Sequence, residues 1–71
     1  MSNNLLLIDD DIELCELLCH WLTQEGFSVT ACHDGQSARQ ALGGPAPDAV
    51  VLDVMLPDGS GLELLKQLRG E

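Results

Sequence analysis

Two apolar runs in this chain end in carboxylates. Leu5-Leu6-Leu7-Ile8 runs into Asp9-Asp10-Asp11, and Val50-Val51-Leu52 runs into Asp53, with the loop Met55-Leu56-Pro57-Asp58-Gly59 just beyond. An uninterrupted apolar run reads as a strand buried on both faces, as in a parallel sheet covered by helices. Such a strand has no packing use for Asp at its end. Open α/β sheets do, because they place ligands and reacting groups at the carboxyl ends of their strands. If Asp9, Asp10 and Asp53 converge, their charges repel, and a proton or a cation must join them. All-oxygen ligands completed by water suit Mg²⁺. A carboxylate beside Mg²⁺ can also attack phosphorus and form an acyl phosphate, with the protein mainly positioning the partners. Phosphoryl transfer is therefore the favoured reaction class. The blander account, a solvated strand end and a helix cap, suits Asp11 better than the other three.

The elements that must position these acids follow in order. After the first strand, Asp11 caps a helix over residues 12–25. Ile12, Cys15, Leu18 and Leu22 recur at helical spacing, and Leu14, Leu17 and Trp21 widen the apolar face. Gly26 stops this helix, with Phe27 placed to pack back on its last turn. Residues 27–32 alternate apolar and polar, as an edge strand does. Asp34 caps a short helix over residues 36–42, and the Gly- and Pro-rich stretch 43–47 is a loop. The third strand covers residues 48–53. Ser60-Gly61-Leu62-Glu63 reads as a capping box opening the last helix, whose buried face is Leu62, Leu65 and Leu68. The order βαβαβα implies an α/β fold with a parallel sheet. Placing the two apolar strands side by side gives the order 2-1-3. Right-handed crossovers then put the first helix on one face and the second and third on the other. The reversal of direction leaves a crevice between strands 1 and 3, where Asp9, Asp10 and Asp53 sit.

The totals exclude several function classes. At 71 residues there is room for one small domain, which buries only about 60% of its unfolded surface. The apolar fraction of 45% is too high for a disordered chain. No apolar run can span a membrane, and no basic stretch precedes the first one, so neither an anchor nor a secretory signal is expected. Twelve acidic residues against three basic ones, a net charge of −9, argue against nucleic-acid contact and suit a cation or a basic partner. The odd number of cysteines (Cys15, Cys19 and Cys32) points to free thiols in a reducing cytoplasm. Their spacing with His20 and His33 is a weak zinc signal, so buried thiols and surface histidines are expected instead. Trp21 reads as packing, not as a stacking platform. The acidic run lacks the Gly and closing Glu of an EF-hand, and no phosphate-cradling Gly-rich loop with Lys is present.

With these residues in place, the chain resembles the first half of a response-regulator receiver domain, a partial CheY-like (flavodoxin-like) fold. The resemblance rests on residues 5–11, on Asp34-Gly35 and, most specifically, on residues 50–61. It is nearest to the OmpR/PhoB subfamily of DNA-binding regulators, CpxR-type regulators among them. It implies a phosphoryl group passed from a sensor histidine kinase to Asp53. It implies Mg²⁺ held by Asp10, Asp53 and the Met55 backbone carbonyl, with Asp9 acting through water, and a loop shaped by Pro57 and Gly59. It also implies two further strands carrying a Ser or Thr and a Lys, and a DNA-binding domain. Residues 1–71 are accordingly expected to be a truncated receiver, impaired in switching, whose unpaired third strand drives homodimerisation or domain swapping. The competing expectations are a self-associating structural fragment with an idle acidic site and, ranked last, a phosphohydrolase. The latter would want a second acid where Met55 stands.

Overall fold

A computed structural model describes residues 3–53, 56 and 58–70. Three strands, β1 (Asn4–Ile8), β2 (Ser28–Cys32) and β3 (Ala49–Leu52), alternate with three helices, α1 (Ile12–Gln24), α2 (Gly35–Leu42) and α3 (Gly61–Leu68). The strands form one parallel sheet in the order β2-β1-β3. Leu5–Ile8 of β1 pair with residues 29–32 of β2 and with residues 49–52 of β3. Fold class, strand order and the placing of α1 on one face with α2 and α3 on the other are those expected from the sequence. Each element starts or stops within a residue or so of its expected bounds.

The local reasons are visible. The Asp11 side chain accepts the Leu14 N–H at 3.0 Å and caps α1. At the other end Gly26 takes φ 96°, a value that favours glycine. The Phe27 N–H then bonds back to the Leu22 carbonyl and the Gly26 N–H to the Thr23 carbonyl. This paired pattern closes the helix and folds Phe27 onto Leu22. Asp34 caps α2 through the Ser37 N–H at 2.7 Å.

β1 is sandwiched on both faces. Leu5 and Leu7 meet Cys15, Leu18, Leu22 and Phe27 on the α1 side. Leu6 and Ile8 meet Cys32, Ala38, Leu56 and Leu64 on the α2–α3 side. Cys15 and Cys32 are buried and, like Cys19, free.

Four expectations are corrected. The capping box at Ser60 does not form. Ser60 has helical φ and ψ and makes no side-chain cap bond, because its hydroxyl and amide are both taken by Asp58. The face of α3 is also rotated. Leu62 is 60% exposed and Leu68 39%, whereas Leu64 is fully buried. Leucines at 62, 64, 65 and 68 allow more than one stripe, and burial of Gly61 against the fold selects the one centred on Leu64. Trp21 is exposed and does not pack. His33 is not a free surface residue: it is partly buried and bonded to the Asp9 carbonyl.

Candidate acidic site

The sheet ladder delivers the acids to one point. Beyond Ile8, the Asp9 N–H continues the pairing toward β2 by donating to the Cys32 carbonyl at 3.0 Å. On the other side of β1, the Asp53 N–H donates to the Ile8 carbonyl at 2.8 Å. Asp9 and Asp53 thus leave adjacent strands at the same height, and Asp10 follows on the loop into α1. One carboxylate oxygen from each of Asp9, Asp10 and Asp53 lies within 4.8 Å of the others. Asp10 is exposed, while Asp9 and Asp53 are partly buried.

The Asp9 side chain is held by its own loop, with Oδ1 accepting the Asp11 N–H at 3.0 Å. Its backbone carbonyl accepts two bonds, from the Cys15 thiol at 3.4 Å and from the His33 ring at 3.0 Å. Burial, and after it the charge of Asp9, pushes the Cys15 thiol up from its usual value. Burial does the same at Cys32. Both therefore stay protonated at neutral pH, as thiols and not as the thiolates a soft metal requires.

The loop after Asp53 has its own organiser. The Gly59 N–H bonds the Leu56 carbonyl at 2.9 Å, and Gly59 adopts φ 74°, which suits glycine alone. Asp58 Oδ1 accepts the Ser60 N–H at 3.0 Å and the Ser60 hydroxyl at 2.5 Å, while its Oδ2 accepts the Gly35 N–H at 3.2 Å. The Ser60 hydroxyl above all, then the Ser60 and Gly35 amides, holds the Asp58 carboxyl below the usual carboxylate range. The sequence points to Asp9, Asp10 and Asp53, and the family resemblance adds Gly59; the structure brings the three acids together. Met55 and Pro57 lie outside the described residues. Neither His33 nor Asp58 is expected at this site from the sequence. A signal existed for Asp58, since Asp two places before Ser is the spacing of a side-chain-closed turn.

The donor set passes a simple test for a hard cation. Oxygen ligands on one Mg²⁺ lie at most about 4.2 Å apart. Carboxylate oxygens that already lie within 4.8 Å of one another need move little to share one such ion.

Residues 5–71 match the response regulator receiver domain family. The chain belongs to that family. It is 46% identical to the response regulator MprA of Mycobacterium tuberculosis over 99% of its own length and 30% of that protein. It is 48% identical to the transcriptional regulatory protein CpxR of Klebsiella pneumoniae over 94% of its length and 28% of that protein. With the phosphate regulon regulatory protein PhoB of Escherichia coli it shares 38% over its whole length and 31% of the relative. These relatives are regulators of the OmpR/PhoB subfamily. The receiver chain thus spans about a third of their length. Its fold matches the crystal structure of the signal receiver domain of a LuxO repressor protein from Vibrio parahaemolyticus, with a TM-score of 0.88 and 26% identity. That match covers 99% of this chain and 54% of the other. Receiver domains are signalling modules of two-component systems and interact with sensor histidine kinases. No helix among the described residues is long and apolar enough to cross a membrane.

Proposed function

We propose that this chain is the phosphoacceptor segment of a two-component response regulator, taking a phosphoryl group from a sensor histidine kinase onto Asp53 in the cytoplasm. The observation that carries the proposal is the convergence of Asp9, Asp10 and Asp53 at the ends of adjacent strands. Asp10 and Asp53 would hold Mg²⁺ directly, the Met55 carbonyl would be a third ligand, and Asp9 would act through water. When bound, Mg²⁺ would supply charge neutralisation for the phosphoryl oxygens. In the transfer an Asp53 carboxylate oxygen forms a bond to phosphorus. The bond from phosphorus to the kinase imidazole breaks, and its electron pair stays on the imidazole nitrogen. The product is an acyl phosphate on Asp53. Asp9 and Asp10 take no covalent part; they hold the cation and, without it, repel the incoming anion.

The family resemblance implies a phosphate-binding Ser or Thr and a Lys carried on two further strands. We therefore expect slow phosphorylation and impaired switching in this chain taken alone. The test is incubation with acetyl phosphate and Mg²⁺, followed by intact mass measurement. An added phosphoryl mass that needs Mg²⁺ and is lost in Asp53→Asn supports the reading. No Mg²⁺-dependent change would sink it and leave the acidic site idle.

A second reading, self-association, is favoured by one observation. Among the described residues β3 is an edge strand, and its own Val51 is 46% exposed. An unpaired apolar edge is a template for another strand. Trp21, 60% exposed, reports on burial of the nearby α1 face. Association through β3 and α1 should double the mass in light scattering at micromolar concentration and blue-shift Trp21 emission. A monomeric mass would end this reading.

A further inference from the structure

The turn after β2 carries none of the three acids, yet it is bonded to both loops that do. At its start His33 Nδ1 lies 3.0 Å from the Asp9 carbonyl oxygen. A carbonyl can only accept, so Nδ1 carries the proton and donates. Two residues later the Gly35 N–H donates to Asp58 Oδ2 at 3.2 Å. The other oxygen of that carboxylate is fixed by Ser60. Packing enforces the second junction, because Gly35 is buried and a Cβ there would overlap the Ser60 hydroxyl. Among the described residues the backbone ladder reaches as far as Asp9 and Asp53. Past it, one connection from one acid-bearing loop to the other runs through residues 33–35.

We infer that residues 33–35 form a brace that sets the spacing of the acidic site, with His33 and Asp58 as positioning residues at its two ends. The inference rests on the reading of Asp9, Asp10 and Asp53 as a Mg²⁺ site and adds residues that touch neither ion nor phosphoryl group. His33 fixes the backbone of Asp9. Asp58 ties the chain five residues after Asp53 to Gly35 and Ser60. The turn between them makes the two adjustments one. Removing a partner that orients a metal ligand from outside typically costs about 10- to 100-fold in metal affinity.

Two substitutions cut the brace at opposite ends. Asp58→Asn keeps an oxygen for Ser60 but sets an amide N–H₂ against the Gly35 N–H, so the local turn stays and the long-range bond goes. His33→Leu removes the other bond, whereas His33→Asn keeps a side-chain N–H near the position of Nδ1. By titration calorimetry with Mg²⁺, Asp58→Asn and His33→Leu are each expected to weaken binding about 10-fold, and His33→Asn to recover most of that loss. The double variant Asp58→Asn/His33→Leu should bind no more weakly than the worse single one, because a brace cut at either end is already released. Full affinity in both single variants, additive losses in the double, or His33→Asn as weak as His33→Leu would each overturn the inference. Asp10→Asn separates it from the reading beneath it. If the unsubstituted chain takes up no Mg²⁺, or if Asp10→Asn binds as well, the metal reading has failed. The brace is then decided on the metal-free chain by amide NMR: Asp58→Asn shifts the Asp9 and Asp11 signals if the turn transmits, and leaves them in place if it does not.

Discussion

The two faces of the sheet are built from equally apolar residues and end up in different states. On the α2–α3 face the core closes: Ile8, Ala38 and Leu64 have no exposed surface, and Leu6, Cys32 and Leu56 almost none. On the α1 face Leu5, Leu7 and Cys15 are as well buried, but Leu14, Leu17, Trp21 and Val51 stand 39–60% exposed. The cause is geometric. A helix is about 10 Å across, and strands lie about 4.8 Å apart, so one helix covers two strands of three. α1 connects β1 to β2 and lies over that pair, whereas α2 and α3 share the opposite face. The broad apolar stripe of α1 therefore exceeds what these residues can bury. A stripe's width states what a helix can cover and leaves open what covers it.

The largest expected effect contrasts one leucine from each face. Leu64→Ala empties a fully buried site and should cost about 2–5 kcal/mol. A chain of this length has on the order of 5 kcal/mol to lose, so about 0–3 kcal/mol should remain and up to half of the population should unfold at 25 °C. Leu17→Ala removes the same atoms from a residue 52% exposed and should stay within about 0.5 kcal/mol. Urea denaturation followed by circular dichroism checks both. Equal losses would mean that the α1 face is covered in solution, which is what self-association through β3 would produce.

A smaller effect tests how tightly the closed face is locked to the acidic loops. Gly35→Ala places a methyl group against Ser60. Over-packing of this kind costs about 1–3 kcal/mol. Gly26→Ala meets no neighbour within 4 Å, but it occupies the left-handed region at φ 96°. Its cost is backbone strain of about 1–2 kcal/mol. Combining Gly35→Ala with Ser60→Gly separates the mechanisms, because the added methyl meets both Oγ and Cβ of Ser60: the second substitution should relieve the first at position 35 and do nothing for Gly26→Ala.

These contrasts show which parts of the molecule could be read from the sequence. Asp11, Asp34 and Gly26 act through their own neighbours, and each is legible as a cap or a stop. The strand order follows from two apolar runs and one alternating run, because chirality leaves few ways to connect them. Convergence of Asp9, Asp10 and Asp53 follows from that order. What could not be read is whatever depends on a partner distant in sequence. The rotation of α3 is set by its seating at Gly61, so the choice among Leu62, Leu64 and Leu65 was undetermined locally. The failure of the Ser60 cap reflects a competition that Asp58 wins because its carboxylate also reaches Gly35, 23 residues earlier. The bond from His33 to Asp9 spans 24 positions and leaves no local pattern.

Titration offers the finest test of the difference between the faces. Asp34 and Asp58 lie at the ends of α2 and α3, and both are held below the usual 3.8, Asp34 first by the Ser37 amide and Asp58 first by the Ser60 hydroxyl. A carboxyl with a lowered folded value contributes stability that is fully present above its unfolded value and lost as pH falls through the folded one. The urea midpoint should therefore decline as pH drops below about 4, and the decline should be shallower in Asp58→Asn. Alkali acts differently. Cys15 on the α1 face and Cys32 on the other are both raised by burial above the usual 9.0. A thiol with a raised folded value contributes stability that is present below its unfolded value and lost as pH climbs through the folded one. High pH should thus loosen both faces, and Cys15→Ala and Cys32→Ala should each remove part of that dependence. Acid should loosen the α2–α3 side first, so amide exchange in α2 and α3 should quicken before exchange in α1. Simultaneous acceleration in all three helices would show that the two faces unfold as one unit despite their unequal closure.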